Sequence, residues 1–407
     1  MTLSPSDYAP NPHVAFSWLT IAGTPVTTTE GGRPRHLEAF KCSFKVEEIG
    51  NFHFTLFDPE YDFVEGLITK SKGKCTFKFG YTTGRQSKEY TGYILEYVPQ
   101  FLIDGIRIHM KGLLLGMDMH KKIKTRPWTG KKIHEIVKEI AADAGFKDDV
   151  EDCEPVEYRE DLDESDLQQK NFPQHQTDLG FILNKLQKQA CRQKDKASGY
   201  VLYFDYETKP PTLHFHPPRM EEKPVKTFIW RERQTEVIAF TPRYAGNLLS
   251  VLLWGSSQTP TLDLTDTGQS ANLKSHDKGT GKGSHTDPAA PRIEQPASDT
   301  EFQESGRIFK VEPDKFFGER ESKFWWYRYA WFAAMTATLT VVGDPNLKPF
   351  KKYEVRVQKK DGGLHWTSGL YMCMGIKHEI TEGRYETTME LWRTGAKGGE
   401  TASGTLT

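Results

Sequence analysis

The sequence predicts a β-rich α+β protein in which two small antiparallel β-barrel domains flank an α+β middle domain. Three observations lead there. Apolar residues alternate with period two near both ends of the chain, and the period changes to that of a helix in between. The length, 407 residues, exceeds what one ordinary core fills. The expected boundaries are a first barrel over 1–115, a middle domain over 116–225, a second barrel over 226–394 and a frayed tail over 395–407.

In the first block Phe40, Cys42, Phe44 and Val46 share one face, and Phe52, Phe54 and Leu56 follow after a turn at Gly50-Asn51, which predicts a hairpin. Cys75, Phe77, Phe79 and Tyr81 repeat the pattern. So do Ile106, Ile108 and Met110, which leave Arg107, His109 and Lys111 on the opposite, polar face. The helix period then takes over. Ile133, Ile136, Val137, Ile140, Ala141 and Ala144 make an apolar stripe, with Thr129 able to cap its start and Gly145 its end. A second helix is expected from Thr177-Asp178, with Leu179, Ile182, Leu186 and Ala190 inward. Strands return at 200–206 and 212–216.

The last block starts with strands at 237–240 and 248–254. Residues 255–305 are rich in Ser, Thr, Gly, Asp and Pro, too polar to offset their ordering entropy, and are expected to form a long mobile loop or an excursion that a partner orders. An aromatic helix over 319–335 follows. Phe324, Trp325, Trp326 and Trp331 lie around it, which suits burial against a neighbouring chain as well as plain core packing. Strands at 353–357, 371–380 and 385–392 close the chain.

Charge is balanced, 54 Lys+Arg against 55 Asp+Glu, so no global field draws the chain to nucleic acid or an anionic membrane. Five scattered cysteines without a CxxC exclude a disulfide framework and a zinc knuckle and suit free thiols. Met1–Pro12 lacks a signal-peptide pattern, and 98–115, the most apolar window, carries too many charges to span a membrane.

Signals for chemistry are few. His214 and His216 sit on one face of a strand, where two imidazoles can chelate a transition metal. No third ligand is near them in sequence, so a structural role is favoured and no metal or other cofactor is expected. The acidic stretch 148–166 lacks the spacing of a calcium loop and is read as a solvated linker. No P-loop, HExxH or GxSxG occurs, and no pair of carboxylates stands out, so no catalytic residue is assigned.

Several short motifs nevertheless follow a recognisable order. Thr91-Gly92-Tyr93-Ile94 precedes Arg126-Pro127-Trp128-Thr129-Gly130 and its helix. Gln176-Thr177-Asp178-Leu179-Gly180 comes next, then Val342-Gly343-Asp344-Pro345-Asn346-Leu347-Lys348-Pro349. The run Ser368-Gly369-Leu370-Tyr371, Ile376-Lys377-His378-Glu379-Ile380 and Arg384-Tyr385-Glu386-Thr387 closes the series. Over residues 91–393, apart from 255–305, this resembles the phage late control D family, the gene 27-type baseplate hub proteins of contractile tails. Phe350 departs from the family, which often has glycine there.

The resemblance implies a structural protein of the virion baseplate, assembled in the host cytoplasm, that forms a homotrimeric, pseudo-hexameric ring. Such a ring joins the hexameric tail tube to the trimeric central spike, with tape measure and baseplate wedge proteins as further partners. No sequence-specific nucleic-acid binding and no membrane anchor are implied. Arg107, His109 and Lys111 become candidates for the face of a DNA channel. No lysozyme or spike module is recognised after the last hairpin, so the chain corresponds to the hub alone. A tail-tip peptidoglycan hydrolase and a stand-alone carbohydrate-binding β protein are the alternatives.

Overall fold

The computed structural model describes residues 14–30, 33–35, 37–58, 66, 68–70, 72–155, 171–192, 197–198, 200–217, 223–230, 236–244, 335–360, 362–365, 367–381 and 384–393, with four short strands between 261 and 310. The predicted helix 319–335, with Phe324, Trp325, Trp326 and Trp331, lies outside the described residues except for Met335, which begins a strand. So do the strand expected at 248–254 and the tail 395–407.

The first unit is an antiparallel sheet of six main strands: β1 (Ala15–Ile21), β2 (Leu37–Lys45), β3 (Asn51–Asp58), β4 (Lys74–Tyr81), β5 (Tyr90–Leu102) and β6 (Gly105–Leu114). Their spatial order is β2–β3–β6–β5–β4–β1. Period-two alternation drives every inward side chain to one face. There Phe40 lies 4.8 Å from Phe54, and Phe52 lies 4.9 Å from Phe77, ring centre to ring centre, at tilted angles that suit aromatic quadrupoles. The β2–β3 hairpin pairs Phe40 with Phe54 and Cys42 with Phe52, as the alternation predicts. Its turn differs from expectation. The left-handed residue is Glu47 (φ +69°), whereas Gly50 is required for room: a Cβ there would lie 2.7 Å from Leu114 Cδ1.

The middle part opens with β7 (Ile123–Thr129) and α1 (Ile133–Asp143), followed by the short β8 (Lys147–Val150). Ile133, Ile136, Val137, Ile140 and Ala141 of α1 are fully buried. Each of the larger four contributes roughly 1.5–3 kcal/mol by leaving water. Gly145 takes the left-handed conformation past the helix end, as expected. Thr129 does not cap the start: it ends strand β7, and the Lys132 N–H instead donates to the Glu135 carboxylate at 2.8 Å.

Next come β9 (Asn171–Thr177) and α2, which starts as Asp178–Phe181, widens into a π turn over Ile182–Leu186 and ends as Gln187–Gln189. Thr177 caps it by accepting from Gly180 N–H. Then β10 (Val201–Asp205) and β11 (Thr212–His216) pair antiparallel, while β8 joins β11 in parallel. Residues 147–150 therefore belong to a sheet and not, as the acidic composition suggested, to a solvated linker. The parallel β11 ladder captures them despite their charge.

The last unit contains β12 (Lys226–Trp230), β13 (Val237–Tyr244), β14 (Met335–Val342), β15 (Lys352–Val357), β16 (Gly369–Thr381) and β17 (Arg384–Arg393) in the order β13–β14–β17–β16–β15–β12. Residues 261–263, 274–276, 283–286 and 308–310 pair into a small four-stranded sheet, so part of the predicted loop 255–305 is strand.

The two β units are not the closed barrels that the sequence predicts. Among the described residues they are curled open sheets merged into one ladder of 13 strands. Strand β16 makes the merger. Its first half pairs with β15 (Val355↔Gly369 to Lys352↔Met372), and a register shift follows between Cys373 and Gly375. On the same edge its second half pairs with β2, from Gly375↔Lys45 to Thr381↔Ala39. A bulge of this kind bends a strand and increases its twist, which lets one long strand serve two sheets.

Candidate functional site

The motif residues of the chain's end converge where the two β units meet. The imidazole of His378, on β16, is fully buried. Its Nδ1 lies 2.9 Å from the Tyr385 hydroxyl and 3.1 Å from Thr387 Oγ1. Phe79 of the first unit packs on this imidazole at 4.8 Å, and Tyr81 on Tyr385 at 5.5 Å. Burial holds His378 at about 3, far below the usual histidine range. A neutral ring held by two hydroxyls at Nδ1 and packed on aromatics braces the junction.

The Gly343-Asp344 turn seals the same junction. Gly343 lies against the Tyr385 ring, where a Cβ would come within 2.0 Å of Cγ, and its carbonyl accepts from the Tyr81 hydroxyl at 3.1 Å. Asp344, almost fully buried, accepts from Lys226 at 3.0 Å and from Arg85 of the first unit at 3.4 Å. Its other oxygen accepts from Asn346 N–H and closes the turn. Phe350, after this turn, has φ +54°, a region glycine enters freely and a phenylalanine does not. Its ring is buried 4.9 Å from Tyr203 of the middle domain.

A cavity of about 280 Å³ opens beside this turn, lined by residues of all three parts, among them Phe44, Tyr90, Asp205, Glu207, His214 and Lys348. Lys348 Nζ lies 2.8 Å from Glu207 and 3.4 Å from Asp205. Burial opposes its charge, but the Glu207 hydrogen bond and the two carboxylates outweigh it and hold the lysine above its usual range. Both carboxylates share one cation.

Of the residues singled out in the sequence, His214 and His216 fall on one face of β11, as the spacing requires. The structure adds Asp149, which the parallel register Asp149↔His214 places 2.7 Å from His214 Nδ1. Burial holds His214 below the usual histidine range, although Asp149 pulls the other way. No signal in the sequence points to this third residue, because the pairing spans helix α2 and several strands. Arg107, His109 and Lys111 lie on the outer face of β6. Arg107 makes a bidentate pair with Glu38 at 2.7 and 3.0 Å, Lys111 pairs with Glu96 at 3.0 Å, and His109 meets Thr55 at 3.3 Å.

No family model matches the sequence, and no curated protein matches it. Solved structures do match in fold, among them phage tail proteins and a component of a secretion system. The 43 kDa tail protein of prophage MuSo2 from Shewanella oneidensis aligns with a TM-score of 0.56 at 14% identity, over 93% of this chain and 98% of that one. The tail protein from Neisseria meningitidis MC58 aligns at 0.52 and 12% identity, over 94% and 98%. An E. coli component of the type VI secretion system, described as structurally similar to the T4 bacteriophage tail proteins gp27 and gp5, aligns at 0.53 and 11% identity, over 93% and 77%. The chain thus has the β-rich fold of phage tail proteins along nearly its whole length. Among the described residues no helix is long and apolar enough to cross a membrane.

Proposed function

We propose that this chain is a structural, non-enzymatic hub protein of a contractile-tail baseplate. The observation that carries the reading is the fold shared end to end with tail proteins, since 98% of each of two such chains is matched. The placement of the motif residues supports it: His378, Tyr385, Gly343 and Asp344 brace one β unit against the other.

In this reading three chains form a ring. Each chain offers two β units of six main strands, so the ring presents six comparable surfaces to a sixfold tail tube and keeps threefold symmetry towards a trimeric spike. Tape measure and wedge proteins would contact its rim, and DNA would pass through its centre. Arg107, His109 and Lys111 are proposed to face that channel. Their pairing with Glu38 and Glu96 offsets much of the positive charge there, as passage of DNA without tight binding requires. The aromatic run with Phe324, Trp325, Trp326 and Trp331 is proposed as an inter-chain contact.

Native mass measurement of the purified chain, alone and with tube and spike proteins, tests the proposal, followed by imaging for a ring with a central hole. A trimer is expected in at least the mixed sample. A chain that stays monomeric with both partners, or one that clears a cell-wall zymogram, overturns it.

A further inference from the structure

We propose that Asp149, His214 and His216 form a binding site for one divalent first-row transition metal ion of the zinc type. One carboxylate oxygen and one ring nitrogen from each histidine lie within 4.8 Å of one another. Two imidazoles and a carboxylate with a fourth position open is a ligand set that such ions take, and harder cations that prefer all-oxygen shells do not.

The His216 ring is already oriented. The Pro217 carbonyl lies 2.7 Å from His216 Nδ1 and accepts its proton, which leaves the lone pair on Nε2. A hydrogen bond at one ring nitrogen that frees the other is the usual support of a metal-bound histidine. Tyr203 lies flat on His214, with centroids 4.3 Å apart and planes within 4°, and its hydroxyl sits 3.4 Å from His216 Nε2. Phe350 closes the far side, 5.6 Å from His216, and gives the site an apolar wall. His214 also lines the cavity described above, which provides a path for an ion.

Bonds of about 2.0–2.1 Å to zinc place ligand atoms roughly 3.4 Å apart, so the set, with Asp149 and His214 Nδ1 now 2.7 Å apart, must rearrange on binding. Asp149 is the member that can move. It stands on β8, the edge strand of its sheet, with its side chain 41% exposed, whereas the histidines are held by Tyr203 and Phe350. The bound ion would tie β8 to β11 and reinforce a parallel pair only four residues long.

The rival is a hydrogen-bonded His214 beside a packed core His216 that takes no ion. Metal-stripped full-length protein titrated with Co2+ separates the two through the visible absorption of a low-coordinate cobalt site, with Zn2+ as competitor. Saturation at one ion per chain and a rise in melting temperature are expected. Asp149→Asn and His214→Gln should each weaken binding at least tenfold, and His53→Gln, at the other close histidine pair, should leave it unchanged. Asp149→Asn keeps shape and a hydrogen bond, so it guards against misreading a folding defect. Absence of the cobalt spectrum, equal binding in both site variants, or loss of binding in His53→Gln overturns the proposal.

Discussion

The indole N–H of Trp128 donates to the side-chain carbonyl of Gln174 at 2.9 Å, and the amide of Gln174 donates in turn to Asp178 at 2.7 Å. Lys124 completes the chain with an ion pair to the other Asp178 oxygen. Two motifs more than forty residues apart, around Trp128 and around Asp178, are thereby one buried polar network on the β7–β9 pair. All of its members are satisfied, and that is when such a network favours a single packing.

Breaking the network at its charge is therefore costly. Asp178→Ala takes the carboxylate from Lys124 and leaves the Gln174 amide with only the Gln176 carbonyl, and is expected to destabilise the chain by about 3–5 kcal/mol. Trp128→Phe keeps most of the apolar area and should cost about 1–3 kcal/mol. Urea denaturation checks both, and equal losses for the two variants would refute the ranking.

Gly343 and Tyr385 make a second test, because no side chain fits between them. Gly343→Ala should cost at least about 3 kcal/mol. Pairing it with Tyr385→Leu, which removes the obstructing ring, should cost clearly less than the sum of the single changes. Additive losses in a double-mutant cycle would show that the contact is not the cause.

Phe350 balances two opposed effects. Its left-handed backbone costs about 1–2 kcal/mol, while its buried ring contributes about 3–5 kcal/mol by packing on Tyr203. Phe350→Gly relieves the first and loses the second, so a net destabilisation of roughly 1–4 kcal/mol is expected. Thermal unfolding that shows a more stable glycine variant would reverse the balance.

His378 makes stability depend on pH. Burial lowers it to about 3, against about 6.5 in an unfolded chain. Between these values the unfolded chain binds the extra proton, so stability falls as pH falls through that window and levels off below about 3. At pH 5 this residue alone removes about 2 kcal/mol. His378→Gln should flatten the stability curve between pH 7 and 5 by that amount; parallel curves for the two proteins would contradict the assignment.

The thiols give a simpler check. Cys42, Cys75, Cys153 and Cys373 are buried, and burial pushes Cys75 up to about 12 and raises Cys42 and Cys373 as well. Maleimide at neutral pH should add no more than one label to the native chain, at Cys191, and five once it is denatured. Two or more labels on the native protein would contradict the packing.

Local order was the part legible in the sequence. The alternation at Phe40–Val46, the stripe from Ile133 to Ala141 and the helix start at Thr177-Asp178 depend on neighbours a few residues away, and they appear where expected. What depends on distant pairing was not legible. Nothing near β16 says that half of it belongs to β2, so two barrels were expected in place of one merged ladder. Asp149 looked like one more acid in a charged stretch, because its meaning comes from a strand 65 residues further on. The motif residues fared better: their order marked the right β-rich fold, and Gly343, Asp344, His378 and Tyr385 among them lie where the two β units meet.

Strand β16 also sets how the chain bears load. A pull that draws the two β units apart along this strand acts on the whole run of backbone pairs from Gly375↔Lys45 to Thr381↔Ala39 at once, in shear. Hydrogen bonds loaded together in that way yield only together, whereas the same bonds peeled from one end yield one by one. A chain built with this seam resists sliding of its halves far more than their unzipping, so its mechanical strength has a direction, fixed by the line of one strand.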